Sequence, residues 1–424
     1  MRLTYLDLAA ALLMVLPQAA AHVALLRPRV IMPAVPAEDF FYQPPSGFES
    51  QIPGTVLRQR AVVVAFFGKV PNSVQAYQLL YRTSSLNGSA IATVTTIFRP
   101  LAAKSDGFVS FQTAYDSATN RCDPSYTYQL GAKQESMYTA AETVLLEDYL
   151  LAGYIVASPD YAGPDAAFTA GRVSGMGVLD GIRAVQNFHK ALALTASPMV
   201  IGVGYSGGAL ATGWAAGLQP KYAPELAIKG WAAGGTPANL TGTLVQIDNT
   251  SSSGLIPVAL AGLAKPSAYQ TALQGLYDKI FTDKGREALD FANENCGPAV
   301  VKKYGNISVL SADFQTLGRG LISEAEFAGV VDDNLMGLKK VETPIAPVYL
   351  YHSIADEIVP YADASTLSNT WCANGATVKF TTYASGGHEA TEQNGSQGAL
   401  QFVEQAFNGT VVSGCESITV TPSS

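Results

Sequence analysis

The sequence predicts an α/β protein with a mainly parallel sheet, helices on both faces and one large helical insertion. Short apolar segments rich in β-branched and aromatic residues alternate with segments of helical periodicity, which is typical of βα units. One of the apolar segments, 200–203, leads directly into a Gly-rich turn and a helix. Another stretch, 236–343, separates two predicted strands by over 100 residues. A structureless loop of that length is improbable, so we expect a helical cap there.

The predicted elements follow one another in an order that fits this class. The predicted strands cover 77–82, 91–98, 108–114, 154–157, 200–203, 228–233, 348–352 and 377–383. The predicted helices cover 137–151, 175–190, 209–216, 255–264 and 269–293. The Pro-rich stretch 22–54 lacks periodicity and is expected to form an extended arm over the core or, in part, a removed pro-segment. The core is therefore predicted at 22–235 and 344–424, with the cap at 236–343.

Composition limits the possible partners and the compartment. The chain has 424 residues, of which 48% are hydrophobic and 14% charged, as expected for a large buried core. Its net charge of −8 includes no run of like charges, which argues against nucleic acid as a partner. No transmembrane segment is expected, because no apolar run reaches the length that spans a bilayer.

The first residues are typical of a secretory signal peptide. Arg2 precedes the apolar run 8–16, and three alanines at 19–21 resemble a cleavage site, so residues 1–21 are predicted to be removed. Six N-x-S/T sequons fit an extracellular protein and are glycosylation candidates: Asn87, Asn239, Asn249, Asn306, Asn394 and Asn408. The sequence therefore predicts a secreted protein.

The central motif is the G-x-S-x-G turn from Gly204 to Gly208. An apolar strand precedes it and a helix of small residues follows it, which is the arrangement of a nucleophile elbow. The motif predicts an α/β-hydrolase fold with Ser206 as the nucleophile. The backbone N–H of Gly207, at the start of the helix, is a candidate donor to an oxyanion.

A serine nucleophile needs a base, and the chain has only four histidines. His388 follows a Gly-Gly pair after the strand 377–383, where a loop could carry it to the serine, so it is the candidate base. His189 lies near a helix end, where it is expected to bond to backbone carbonyls. His352 lies within a predicted strand and is interpreted as structural, and His22 begins the predicted arm.

The acid that orients the base is predicted to be Asp356, which follows the strand 348–352. Ser206, Asp356 and His388 then occur in the chain order of α/β-hydrolases. Glu357 is expected to point away from the base. The remaining acidic alternatives, Asp332 and Asp333, are interpreted as solvated charges in the cap.

The second oxyanion donor is expected from the loop 115–117, which follows the strand 108–114. The chain contains no HGGG motif, so the site departs from the common lipase and esterase arrangement. The four cysteines form no C-x-x-C pair and have no histidine at metal-ligand spacing, so neither a metal site nor a cofactor is expected. Four cysteines allow three pairings. Their positions favour a local Cys372–Cys415 bond in the C-terminal core, which leaves Cys122 to tie the cap at Cys296.

Four stretches together resemble the fungal secretory lipase family, the lipase A type of α/β-hydrolase. They are FQTAYDS at 111–117, SPDYAGPDAAF at 158–168, GMGVLDGIRA at 175–184 and GYSGGA at 204–209. The resemblance implies a large helical lid, matched by 236–343, and two disulfides. It also implies an aspartate in the oxyanion hole, matched by Asp116, and hydrolysis of triacylglycerols and other carboxylic esters.

The sequence therefore predicts a secreted serine hydrolase whose partner is a hydrophobic acyl ester. Whether that ester is met at a lipid–water interface, the acyl length preferred and the oligomeric state are not specified. A secreted serine peptidase or an acyltransferase could use the same triad and is the alternative. A hydrolase-like binding protein is disfavoured, since it would be expected to lack a triad member.

Overall fold

The computed structural model describes residues 32–421 of the chain. The predicted signal peptide, 1–21, lies outside the described residues. Within them, ten strands form one sheet in the order β1-β4-β5-β7-β6-β8-β9-β10-β11-β12, and β2 and β3 form a separate small hairpin. The strands are β1 Val56–Val62, β2 Ala65–Phe66, β3 Val70–Pro71, β4 Gln75–Ser84, β5 Ala90–Arg99, β6 Gly107–Gln112, β7 Ile155–Pro159, β8 Met199–Tyr205, β9 Ile228–Gly234, β10 Val348–Ser353, β11 Val378–Tyr383 and β12 Cys415–Val420.

The helices connect these strands and build the insertion. They are α1 Pro124–Thr127, α2 Met137–Leu151, α3 Gly171–Asn187, α4 His189–Leu192, α5 Gly207–Tyr222, α6 Leu240–Ile247, α7 Leu255–Leu263, α8 Gln270–Ile280, α9 Asp283–Glu294, α10 Gly297–Tyr304, α11 Ala325–Asp333, α12 Tyr361–Ala373 and α13 His388–Phe407. Short 3₁₀ turns occur at Phe40–Tyr42, Phe48–Ser50, Asn120–Cys122, Gly318–Ser323 and Lys340–Glu342. No helix within 32–421 combines the length and the apolar character needed to cross a bilayer.

The predicted fold class is confirmed. In the ten-stranded sheet, the seven strands from β7 through β6 to β12 are parallel to one another. The pairs β1–β4, β4–β5 and β5–β7 are antiparallel. Helices α3 and α5 pack together against one face of the sheet, around Trp214 and Leu179. Helices α2 and α13 cover the other face, where Leu146 and Phe402 are buried. Burial on both faces explains why the central strands are almost wholly apolar.

The insertion between β9 and β10 is helical and has its own apolar cluster. Leu260, Leu273 and Phe327 are buried there, and the cluster continues into the core through Phe168 and Val173. The single helix predicted at 269–293 is wrong, because the chain leaves the helix at Phe281 and the Thr282 side chain caps the next helix by accepting from the N–H of Gly285.

At the C-terminal end one strand was not predicted and one loop prediction is wrong. The strand predicted at 377–383 is present as β11, and an unpredicted strand, β12, follows and pairs in parallel with it at the edge of the sheet. Most residues of β12 are exposed, so its sequence lacks the apolar pattern of a buried strand. His388 begins the long helix α13, whereas the sequence predicts a loop there.

Candidate active site

Ser206 occupies the turn between β8 and α5, and its backbone has the strained geometry of an elbow. Its φ is +50°, a value that L-residues rarely adopt. The two flanking glycines make this possible. A Cβ on Gly204 would lie 2.4 Å from the carbonyl oxygen of Gly208, and one on Gly208 would lie 1.9 Å from that of Gln112. The turn therefore needs glycine on both sides of the serine.

The structure brings the three predicted triad residues together. Oγ of Ser206 lies 2.8 Å from Nε2 of His388. Nδ1 of His388 lies 2.7 Å from Oδ2 of Asp356. All three side chains are buried or nearly so, and the serine is 7% exposed. The geometry fits a serine that donates to the imidazole, which in turn donates to the carboxylate.

His388 is also held through its backbone. Its N–H donates to Oε2 of Glu357 over 2.9 Å, and its carbonyl accepts from the hydroxyl of Tyr205 over 2.7 Å. The expectation that Glu357 points away from the base is therefore wrong: its carboxylate caps the start of α13. Asp356 and Glu357, adjacent in the chain, hold the ring and the backbone of the same histidine.

Asp356 has more donors than the sequence suggests. Oδ1 accepts from the N–H groups of Ile358 and Val359, at 2.9 and 2.8 Å. Nε2 of His352 lies 3.0 Å from the carbonyl of Val359 and 3.2 Å from Oδ2 of Asp356. A carbonyl can only accept, so this nitrogen carries the proton and points it toward both oxygens. His352, interpreted as structural from its place in a strand, thus also contacts the candidate acid.

These contacts shift the pKa of the acid and the pKa of the base in opposite directions. Burial raises the pKa of Asp356, but hydrogen bonds from His352 and His388 outweigh it and hold that pKa well below its ordinary value. Burial lowers the pKa of His388, but the Asp356 carboxylate outweighs it and leaves that pKa above its ordinary value. The carboxylate is therefore ionised at any pH where the imidazole can act as a base.

The oxyanion loop, 113–117, follows β6 and lies against the start of α5. Asp116 is half-buried as a residue, with a φ of +34°, and its Oδ1 is buried without a hydrogen-bond partner among the described residues. This oxygen lies so close to Gly207 that a Cβ there would be 1.9 Å from it. Burial raises the pKa of Asp116 to about 6. The structure thus brings both predicted oxyanion residues beside Ser206.

The insertion is attached to this loop at one point. Cys296 is bonded to Cys122, and the next residue, Gly297, donates its N–H to Oγ of Ser117 over 2.9 Å. A Cβ on Gly297 would lie 2.0 Å from the carbonyl oxygen of Asp116, so the two backbones are in direct contact. The second disulfide joins Cys372 to Cys415, far along the sheet. Both pairs are those that the cysteine positions favour.

An apolar cavity begins at Ser206 and extends under the insertion. It measures about 700 Å³, including the part open to solvent. Its wall includes Asp116 and Gly207 at one end and, further in, side chains of α6, α7 and α11 that are almost all apolar. A long hydrocarbon chain bound there would place an attached carbonyl at the serine.

The six predicted glycosylation sites differ in exposure. Asn87, Asn249, Asn306 and Asn408 are exposed, whereas Asn239 and Asn394 are half-buried. The Asn239 amide caps α6 and donates to Asp363, so it is a poor glycosylation candidate.

The interpretation of Asp333 as a solvated charge is wrong, because it pairs with Arg172 at 3.0 Å and with Lys339 at 2.8 Å.

The comparisons with known proteins agree with this geometry. A family model described as Secretory lipase matches residues 128–414. The chain belongs to the secretory lipase family. It is 43% identical over 382 residues to the secreted triacylglycerol lipase LIP1 of Malassezia furfur, covering 89% of this chain and 77% of the relative. It is 40% identical over 383 residues to LIP3 of Malassezia restricta, covering 89% and 81%.

The solved structures point the same way. Candida antarctica lipase A in its closed state is similar to this secretory lipase with a TM-score of 0.83 and 32% identity, covering 93% of each chain. The rice cell wall degrading esterase LipA from Xanthomonas oryzae has a TM-score of 0.64 but only 14% identity, so it supports the fold alone. As a member of its family, this chain is a carboxylic ester hydrolase.

Proposed function

We propose that this protein is a secreted triacylglycerol lipase that cleaves carboxylic esters through an acyl-enzyme formed on Ser206. The observation that carries the proposal is the hydrogen-bonded series from Ser206 through His388 to Asp356 at one end of an apolar cavity. The relatives from Malassezia are named secreted triacylglycerol lipases, which supports both the substrate class and the extracellular location.

In the acylation step, Oγ of Ser206 attacks the ester carbonyl while Nε2 of His388 takes its proton. The Oγ–Nε2 distance of 2.8 Å suits that transfer. Asp356 keeps the Nδ1 proton in place and stabilises the imidazolium that forms. The proton then passes to the leaving alcohol. Water attacks the acyl-enzyme in the same way, and the serine is regenerated.

The oxyanion of the tetrahedral intermediate is held by the N–H of Gly207 and by Asp116. A carboxylate cannot donate a hydrogen bond, but a carboxyl group with a pKa of about 6 is protonated in an appreciable fraction of molecules near neutral pH. The unpartnered Oδ1, close against Gly207, supports this role for the side chain.

We propose that the acyl chain occupies the apolar cavity and that the substrate arrives at a lipid–water interface. Burying hydrocarbon against α6, α7 and α11 contributes roughly 0.8 kcal/mol for each CH₂ group, so the cavity favours long acyl chains. Val245 and Ile354 are exposed apolar side chains, 41% and 56% accessible, close in the chain to the cavity and the triad.

The test compares the secreted protein with Ser206→Ala on p-nitrophenyl esters of increasing acyl length, on an emulsified triacylglycerol and on a matched p-nitroanilide. We expect ester hydrolysis that increases with acyl length and falls by several orders of magnitude in the variant. A phosphonate ester should add its mass to Ser206 and to no other serine. Faster cleavage of the anilide would favour a peptidase, and wild-type rates in Ser206→Ala would contradict the proposal.

A further inference from the structure

Two buried glutamates lie between the oxyanion loop and the helix that begins with His388. Glu142 on α2 is 2% exposed, and Glu392 on α13 is 5% exposed. Oε2 of Glu142 accepts from the N–H of Ala114 over 2.7 Å. Oε2 of Glu392 accepts from the hydroxyl of Tyr138 over 3.1 Å. The hydrolytic steps above use neither glutamate.

The remaining oxygen of each glutamate points to a shared proton. Both Oε1 atoms are buried without a donor among the described residues, both glutamates line the same small pocket, and each shifts the pKa of the other. Two carboxylates can only accept, so a hydrogen bond between these groups requires that one of them is protonated. Burial, and then the neighbouring Glu392, raise the pKa of Glu142 well above its ordinary value.

The two glutamates lie between the oxyanion loop and helix α13, which begins with His388. Ala114 precedes Asp116 by two residues in the oxyanion loop, and Glu392 follows His388 by one helical turn on the same face of α13. We propose that Glu142 and Glu392 form a proton-sharing pair that positions the base relative to the oxyanion loop and that weakens this link when its proton is lost in alkali. The inference rests on the catalytic roles proposed for Asp116 and His388.

The surroundings do not compensate a second negative charge. The titratable groups facing the pair are Asp116 of the oxyanion loop, Tyr128 after α1, Tyr138 of α2, Tyr161 after β7, Tyr205 of β8, Tyr351 of β10, and His388 and Glu389 of α13. None of these eight carries a permanent positive charge. The pocket that borders both glutamates has room for little more than one water molecule, which is too little to hydrate a second carboxylate fully. Ionisation of both groups therefore favours separation of α2 from α13.

The sign of the effect follows from the raised pKa. The folded protein keeps a proton that an unfolded glutamate releases at its ordinary value. The stabilisation is complete below that ordinary value and is lost as the pH rises through the raised, folded-state pKa. The triad alone predicts no alkaline limit, since a neutral His388 is favoured by alkali. Loss of the Asp116 proton also lowers activity as the pH rises, so the pair is recognised by the part of the alkaline loss that Glu142→Gln shifts.

Glu142→Gln is the decisive variant. Its amide oxygen can accept from the N–H of Ala114 and its amide nitrogen can donate to Glu392, with no proton to lose. Glu142→Leu removes both contacts, and Glu404→Gln, at an exposed position on α13, is the matched control. The kcat and KM for a soluble p-nitrophenyl ester are measured across the pH range, with thermal unfolding recorded at each pH.

We expect wild type and Glu404→Gln to lose kcat with the same alkaline midpoint, and Glu142→Gln to shift that midpoint upward by about one pH unit or more. Glu142→Leu should lower kcat roughly ten- to a hundredfold at every pH, because small misplacements of catalytic groups are costly, with KM little changed. An unchanged alkaline midpoint in Glu142→Gln would overturn the inference.

Infrared spectroscopy provides a second readout that does not depend on catalysis. The wild-type spectrum minus that of Glu142→Gln should contain the band of a protonated carboxyl group, and this band should titrate with the alkaline loss of activity. Its absence at neutral pH would also overturn the inference. A wild-type protein without any ester hydrolysis would instead contradict the proposed function, while the infrared band would still decide whether the proton is shared.

Discussion

The disulfide between Cys122 and Cys296 joins the core to the insertion beside the oxyanion loop. We expect its replacement, in Cys122→Ser with Cys296→Ser, to lower both stability and turnover. The matched control is the pair Cys372→Ser with Cys415→Ser, which removes a disulfide far from the site. Both double variants lose a covalent link, but only the first loosens a contact with the candidate catalytic residues.

The size of the stability loss follows from the length of chain that each bond closes. The two bonds span sequence separations of 174 and 43 residues. The loop-entropy relation gives upper values of about 5 and about 4 kcal/mol at 25 °C for these loops. The first double variant should therefore be less stable than the second by about 1 kcal/mol, since the difference depends only on the logarithm of the ratio of lengths.

The loss of turnover has a local cause. Without the disulfide, Gly297 is held against the oxyanion loop only by its hydrogen bond to Ser117 and by its contact with the Asp116 carbonyl. Displacement of Asp116 should lower kcat by up to about 10²-fold, near the lower end of the cost of losing one oxyanion donor.

The assay combines urea unfolding, followed by tryptophan fluorescence, with ester hydrolysis at a temperature where each variant is folded. We expect a lower urea midpoint in both double variants and a lower kcat only in Cys122→Ser with Cys296→Ser. Equal kcat values in the two variants would refute the reasoning. So would a larger loss of stability on removing the shorter loop.

Substitutions at three residues, Asp116, Asp356 and His352, test the electrostatics of the site. Asp116→Ala should lower kcat by roughly 10²–10³-fold if the side chain donates to the oxyanion. Asp116→Asn should keep most of the rate and move the acid limb of kcat/KM to lower pH, since it removes a charge that raises the pKa of His388. An alanine variant with the wild-type rate would leave only a backbone role. In wild type the acid limb should lie above the ordinary imidazole value of about 6.5, because His388 must be neutral to act and its pKa is raised. A wild-type limb well below that value would contradict the assignment. Asp356→Asn should move the acid limb of the remaining activity to lower pH. Finally, His352→Phe removes a donor to Asp356 and should move the acid limb to higher pH, whereas His352→Gln should move it back in part. If both variants keep the wild-type pH profile, His352 has a structural role only.

The parts of the site that sequence predicts are those carried by a local motif or by a short search. Gly204 to Gly208 requires a particular backbone turn, and that requirement is visible in the residues themselves. His388 could be predicted because only four histidines exist in the chain. The central strands could be predicted because burial on both faces leaves an uninterrupted apolar segment.

The parts that sequence does not predict depend on contacts between distant residues. Tyr138 and Glu392 meet across 254 positions, and no spacing rule relates them. His352 contacts Asp356 because a strand end and the following turn face each other, which its strand pattern does not reveal. The edge strand β12 is mostly exposed, so it lacks the continuous apolar segment by which the central strands were predicted.

The two disulfides also follow the order in which the cysteines leave the ribosome. Cys122 emerges first, and the next cysteine to reach the oxidising lumen is its partner, Cys296. Cys372 then emerges and is followed by its own partner, Cys415. Because each native bond joins consecutive cysteines, the native partner is the first one that Cys122 and Cys372 each meet as the chain is made. The order of synthesis thus permits the insertion to be tied to the core before the last three strands of the sheet exist.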